Sequence, residues 1–299
     1  MGPPAAPLPE ECVVTADDYI LALSCPGRPG IVAAVSTRLF DLGCDILEAH
    51  QFDDAATGRF FMRVRFALTR GSGIEPVREG LDEVARSFAF DWRLRRRAEK
   101  QNVLLLASKQ DHCLADLLYR WRTGELEMNV VGIISNHPRE TYAHLDFDGI
   151  AFHHLPVTAA TKAVQEAQIL AITESSKADL VVLARYMQIL SNDLASALRG
   201  RCINIHHSFL PGFKGAKPYH QAHERGVKVI GATAHYVTAD LDEGPIIEQD
   251  VERIAHHDTP ETLIRKGRDI ERRVLARAIA WHLDMRVLID GTKTVVFRD

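Results

Sequence analysis

The chain has 299 residues, of which 46% are hydrophobic and 25% charged, enough to bury one large core or two smaller ones and too apolar for a disordered protein. A formal net charge of −4 argues against nucleic acid as the main partner. No apolar run reaches membrane-spanning length, so no membrane partner is expected. Residues 1–15 are rich in Pro and Ala but lack a basic start and an apolar centre. They are expected to form a loose tail, not a signal peptide. Five scattered cysteines (Cys12, Cys25, Cys44, Cys113 and Cys202) without CxxC spacing suit a reducing, cytoplasmic setting.

Tyr19–Leu23 has strand composition, and a helix is expected from Arg28 to Leu42, ended by Gly43. Cys44–Phe52 is a second strand, with Asp53-Asp54 and Thr57-Gly58 turning the chain. In Phe60–Phe66 apolar and basic residues alternate, as on a half-exposed strand. A helix over Ile74–Ser87 and a closing strand over Phe88–Leu94 complete a βαββαβ order, the ferredoxin-like split βαβ unit. The first strand-to-helix turn, Cys25-Pro26-Gly27-Arg28-Pro29-Gly30-Ile31-Val32, resembles that of the ACT domain, a small ligand-binding regulatory module. The resemblance spans residues 16–97. It implies an amino-acid effector near Arg28, Pro29, Gly30 and Ile31, and self-association into a homo-oligomer. Gly27 departs from the acidic or amide residue common there. Arg93–Gln101 carries a charge run expected of a solvated linker.

From there to the C-terminus, residues 98–299, short apolar strands alternate with helices. Val103–Leu106, Val130–Ile134 and Leu180–Leu183 read as buried parallel strands, with helices near Ala115–Trp121 and Ala159–Ser175. Pro260 at a first helical position opens a long helix running past Trp281, and Asp290-Gly291 makes a closing hairpin. The pattern predicts a Rossmann-like α/β domain, whose ligands collect at the carboxyl ends of the strands.

Chemistry concentrates in Ile203-Asn204-Ile205-His206, where strand alternation puts Asn204 and His206 on one face. A further strand, Val229–Val237, leads to a loop carrying Asp242 before Gly244-Pro245. An amide donor, an imidazole and a carboxylate can together hold an oxyanion and move a proton during attack on an acyl carbon. A carboxylate beside Leu241, Pro245 and Ile246 is expected to have a raised pKa, which would suit such a shuttle. Five histidines fall between 206 and 235. His206 and His207 are expected on opposite strand faces, and His220 and His223 on a helix, so no metal site is expected. His235 is expected to support the site by a hydrogen bond.

Asn204-Ile205-His206 with the later Leu241-Asp242-Glu243-Gly244-Pro245-Ile246-Ile247 resembles the folate-dependent formyltransferase fold, over most of residues 102–285. By that resemblance Asn204, His206 and Asp242 are catalytic, and Met187, Gln188, Ile189 and Leu190 line a folate pocket with His235, Val237 and Asp240. Transferases onto a ribonucleotide cradle its phosphate in a glycine-rich loop. Here that loop reads Ala107-Ser108-Lys109-Gln110-Asp111-His112-Cys113-Leu114, and no glycine lies between Gly80 and Gly124. An ACT-like domain ahead of such a catalytic domain is the arrangement of the formyltetrahydrofolate deformylases. Ser108-Lys109 and His207–His220 are also similar to that family. The resemblance implies hydrolysis of 10-formyltetrahydrofolate to tetrahydrofolate and formate, with water as acceptor and no cofactor. Transfer to an amine acceptor and a non-catalytic, folate- or amino-acid-responsive regulator are the alternatives.

Overall fold

The computed structural model describes residues 17–69, 73–147, 149–210 and 218–298. The expected tail over 1–15, Cys12, and the part of the His207–His220 motif at 211–217 lie outside the described residues. The chain divides into two compact units, Met1–Glu99 and Lys100–Asp299.

In the first unit, β1 (Asp18–Pro26), α1 (Ile31–Asp41), β2 (Cys44–Asp54), β3 (Arg59–Leu68), α2 (Glu75–Phe88) and β4 (Asp91–Arg96) follow in the expected βαββαβ order. The antiparallel sheet runs β2-β3-β1-β4. Ile31, Val35 and Leu39 repeat every four residues on α1. With Val77, Leu81 and Val84 of α2 they bury against Tyr19, Leu21, Leu23 and Cys25 on one sheet face. Two expectations fail here. The half-exposed reading of β3 is wrong because residues of alternating position are buried alike: Phe61 is 0% and Arg63 1% exposed, with Arg63 Nη1 donating to Glu48 Oε1 at 2.8 Å. The closing strand is shifted towards the C-terminus: Phe88 ends α2, and β4 continues into the first part of the supposed linker as far as Arg96, which pairs with Tyr19. Backbone pairing outweighs the charge of that run.

The second unit contains β5 (Gln101–Ala107), α3 (His112–Arg122), β6 (Met128–Ser135), β7 (Phe152–His154), α4 (Lys162–Ser175), β8 (Leu180–Leu183), α5 (Asn192–Ala197), β9 (Cys202–His206), α6 (Pro218–Glu224), β10 (Val229–Tyr236), β11 (Ile246–Arg253), α7 (Pro260–Leu283) and the hairpin β12–β13 (Val287–Asp290, Lys293–Val296). The seven-stranded sheet has the order β11-β10-β9-β8-β5-β6-β7. Its β9, β8, β5, β6 and β7 are parallel, whereas β10 and β11 are antiparallel additions at one edge.

Strand residues alternate between two cores. Val103, Leu105, Leu180 and Val182 face α3 and α7, and Leu104, Leu106, Val181 and Leu183 face α4 and α5. That double burial explains why these strands read as unbroken apolar runs. Thr259 caps α7, accepting a hydrogen bond from Thr262 N at 3.3 Å, with Pro260 in the first turn.

Candidate active site

Three strand ends converge at one edge of the parallel sheet. The loop after β8 carries Arg185 to Leu190, β9 ends at His206, and the loop after β10 carries Val237 to Asp242. These segments line a cavity of about 390 Å³. Asn204, His206, Asp242, Met187, Gln188, Ile189, Leu190, His235, Val237 and Asp240 all border it. Met187, Ile189 and Leu241 are 54%, 59% and 55% exposed, an apolar margin suited to a flat, partly apolar ligand.

Register explains the first polar contact. His235 of β10 pairs directly opposite Asn204 of β9, and Asn204 Nδ2 lies 3.2 Å from His235 Nε2. His235 Nδ1 lies 2.9 Å from the carbonyl of Tyr236 and must donate to it. Burial lowers the pKa of His235, so the ring is neutral and Nε2 is a bare acceptor. Asn204 Nδ2 therefore donates to it, which orients the Asn204 amide and leaves its second N–H free for a ligand.

His206 Nδ1 stands 3.3 Å from Asp242 Oδ1, while its Nε2 is buried with no hydrogen-bond partner. The hydrogen bond from His206 holds the Asp242 carboxyl below its usual range, against the opposing effect of burial. The raised pKa expected from its apolar neighbours in sequence is thus corrected: contact with His206 outweighs desolvation, and Asp242 is a carboxylate.

The Asp242 backbone is left-handed (φ 58°), as is that of Arg185 (φ 63°). Such conformations cost about 1–3 kcal/mol and concentrate at functional sites. The loop bearing Asp242 is closed by Tyr236 N donating to the carbonyl of Pro245 at 2.9 Å. Gly244 fits under that closure because a Cβ there would fall 1.7 Å from the Tyr236 oxygen.

His206 and His207 do not point to opposite faces. Strand β9 stops at His206, so alternation does not govern His207, and the two rings stack with centroids 5.3 Å apart and planes at 20°. Burial and the nearby Arg185 charge push the His207 pKa down to about 4.

Beneath the cavity lies a polar network that sequence reasoning missed. Glu271 of α7, 1% exposed, accepts hydrogen bonds from His112 Nε2 and Tyr219 OH, each at 2.7 Å, and its Oε2 is 3.3 Å from Arg185 Nε. Burial would raise the Glu271 pKa, but the His112 bond and the Arg185 charge more than offset this and hold it low. Arg185 Nη2 donates to Gln110 Oε1 at 2.7 Å. The available signal was a carboxylate inside the apolar stripe of α7, four residues after Gly267 and four before Leu275. Among the described residues, His112, Cys113 and Glu271 are the one trio with ligand atoms close enough to share a cation, within 4.8 Å of one another. Glu271 already accepts two hydrogen bonds and is ion-paired with Arg185, and burial holds the Cys113 thiol well above its usual pKa, so the trio reads as part of this network.

Where a phosphate cradle would sit, the 108–111 loop is pinned. Ser108 Oγ donates to Asn136 Oδ1 at 2.6 Å and accepts from Met187 N at 3.0 Å, and its carbonyl accepts from Tyr142 OH at 2.8 Å. His144 Nε2 lies 2.6 Å from Asp111 Oδ2.

In the first unit, Arg28, Pro29, Gly30 and Ile31 form the β1–α1 turn. Gly30 caps α1 with φ 94°, Ile31 is buried, and Arg28 donates to the Ser87 carbonyl with its guanidinium 4.2 Å from the Phe88 ring centroid. A side chain at Gly27 would require Asp53 to shift, since a Cβ would come within 2.7 Å of Asp53 Oδ1.

Residues 101–279 match the formyl transferase family. A formyltetrahydrofolate deformylase from Corynebacterium sp. (strain P-1) is 50% identical over 94% of this chain and 98% of its own length. The crystal structure of a formyltetrahydrofolate deformylase from Burkholderia mallei aligns with a TM-score of 0.89 at 51% identity, covering 94% of this chain and all of that one. The glycinamide ribonucleotide transformylase 1 of Symbiobacterium toebii, at 31% identity and a TM-score of 0.61, covers only 67% of this chain but 95% of its own. Similarity to the transferase thus stops at about the size of the second unit, whereas similarity to the deformylases spans both: the chain belongs to the formyltetrahydrofolate deformylase family.

Proposed function

We propose that this chain hydrolyses 10-formyltetrahydrofolate to tetrahydrofolate and formate, supplying formate to one-carbon and purine metabolism. The observation that carries the reading is the meeting of Asn204, His206 and Asp242 in one cavity whose neighbouring loop is pinned by Ser108 and has no phosphate cradle. The apolar margin at Met187, Ile189 and Leu241 suits the folate rings. Gln188, His235, Val237 and Asp240 complete the lining.

In this mechanism the Asn204 amide, oriented by His235, and His206 Nε2–H hold the oxyanion formed when water adds to the formyl carbon. Removing one such donor typically costs about 10²–10³ in rate. Asp242, kept ionised by its contact with His206, takes a proton from the water and stabilises the positive charge on the imidazole. Collapse breaks the C–N10 bond, and the proton passes through the Asp242–His206 pair to N10. No metal or cofactor takes part in this reading.

The first unit is proposed to be an ACT-type regulatory domain, on the strength of its sheet order and its glycine-containing β1–α1 turn. An amino-acid effector at Arg28–Ile31, a homo-oligomer and a cytoplasmic location belong to the same proposal. No described helix is long and apolar enough to cross a membrane. The test is purified protein with 10-formyltetrahydrofolate and no amine, following formate. Release of formate is the expected result; turnover only with an added amine would mean a transferase, and none under either condition a sensor.

A further inference from the structure

We propose that His207 is a catalytic residue in its own right, accepting a hydrogen bond from the hydrolytic water and, with Asp242, aiming that water at the formyl carbon. The inference rests on the hydrolytic reading above. A water that attacks a carbonyl must leave a lone pair free for carbon. It is therefore best held through its two O–H bonds by two acceptors, because a donor would take up one of its two lone pairs and make it a poorer nucleophile.

Of the side-chain acceptors that border the cavity, Asp240 is exposed and Gln188 stands in the loop after β8, whereas Asp242 is the carboxylate in contact with His206. The bare nitrogen of His235 is taken by the Asn204 amide, and Asn204 and His206 present donors to the oxyanion. His207 borders the same cavity, and neither of its ring nitrogens has a hydrogen-bond partner among the described residues. Its place is fixed by ring contacts alone: His206 stacked at 5.3 Å and Tyr219 of α6 tilted at 6.4 Å. His207 also borders a second cavity of about 380 Å³, lined largely by apolar side chains such as Phe209, Ala222, Ile230 and Val251, which give the ring no competing partner.

The charged and titratable groups around the ring are Arg185 from the loop after β8, Glu271 from α7, Tyr219 from α6, His206 beside it and Asp242 from the loop after β10. Burial and then Arg185 outweigh the two carboxylates, so the ring is neutral at physiological pH and keeps an acceptor nitrogen. A protonated His207 could only donate and would bind the water the wrong way round.

The test compares His207→Gln with His207→Met, two side chains of similar volume of which only the first accepts a strong hydrogen bond. Steady-state formate release gives kcat and KM, and circular dichroism checks the fold. His207→Met should lose about 10²-fold in kcat with KM within about threefold of the parent. His207→Gln should recover at least about tenfold of that loss. Equal activity of the two variants, or a loss expressed in KM alone, overturns the proposal. A parent enzyme that releases no formate refutes the hydrolytic reading itself, whereas an active parent with a fully active Met variant refutes only the role of His207.

Discussion

Replacing Glu271 by Gln keeps the shape of a buried side chain and removes its charge. Glu271 is 1% exposed and Arg185 is 6% exposed, with the Nη1 of the latter sealed from solvent and unpartnered. Without the carboxylate, that guanidinium keeps only the neutral Gln110 oxygen at 2.7 Å. The His112 bond to Oε2 is also weakened, since an amide presents one oxygen in place of two. Breaking a buried ion pair by removing one partner costs about 3–5 kcal/mol, far more than a surface pair, because an uncompensated charge stays behind. With a urea m-value near ~2 kcal/mol/M, the midpoint of the catalytic unit should fall by roughly 1.5–2.5 M. Trp121 and Trp281 report that unit by fluorescence in a Trp92→Phe background, which silences the tryptophan of the other unit. A midpoint shift below about 0.5 M would mean that the buried charge is not needed, and the account of the network would be wrong.

Asp242→Asn should lower kcat by about 10²–10⁴-fold with little change in KM, measured as formate release, because the amide can neither take the water proton nor hold charge on His206. Its pKa is depressed in the fold, so the stability it contributes is present above the normal carboxylate pKa and fades as pH falls through the folded value. The melting temperature of the variant should accordingly depend less on acid pH than that of the parent. Gly244→Ala places a methyl 1.7 Å from a backbone oxygen, which must open the Tyr236–Pro245 closure and displace Asp242. A kcat loss of at least about tenfold is expected, with the far-UV spectrum unchanged. Parental turnover in this variant would show that the loop tolerates the shift.

Much of the catalytic unit was legible because its strands are buried on both faces and its helices carry clear caps and stripes. The Ile203–His206 alternation identified the site-bearing strand without any structure. Features set by contacts between distant segments were hidden. The Asp242 pKa depends on where His206 lies, not on the apolar residues flanking it in sequence. The stacking of His206 on His207 follows from where β9 stops, which one histidine after another does not reveal. The first part of the Arg93–Gln101 run, to Arg96, became strand because β1 had an open edge to pair with. Glu271 was visible only as a misplaced acid, since its partners come from the start of α3, the loop after β8 and α6.

The Ser108 hydroxyl bears on how the two activities of this fold could interconvert. It joins the loop that would have to be recut with glycines to receive a phosphate to the backbone of Met187 at the cavity wall. A chain that loosened this loop to admit a larger acceptor would at once release the segment proposed to grip the folate. Water and ribonucleotide acceptors are therefore separated by a coupled change at two places. A drift by single substitutions would pass through intermediates poor at both reactions.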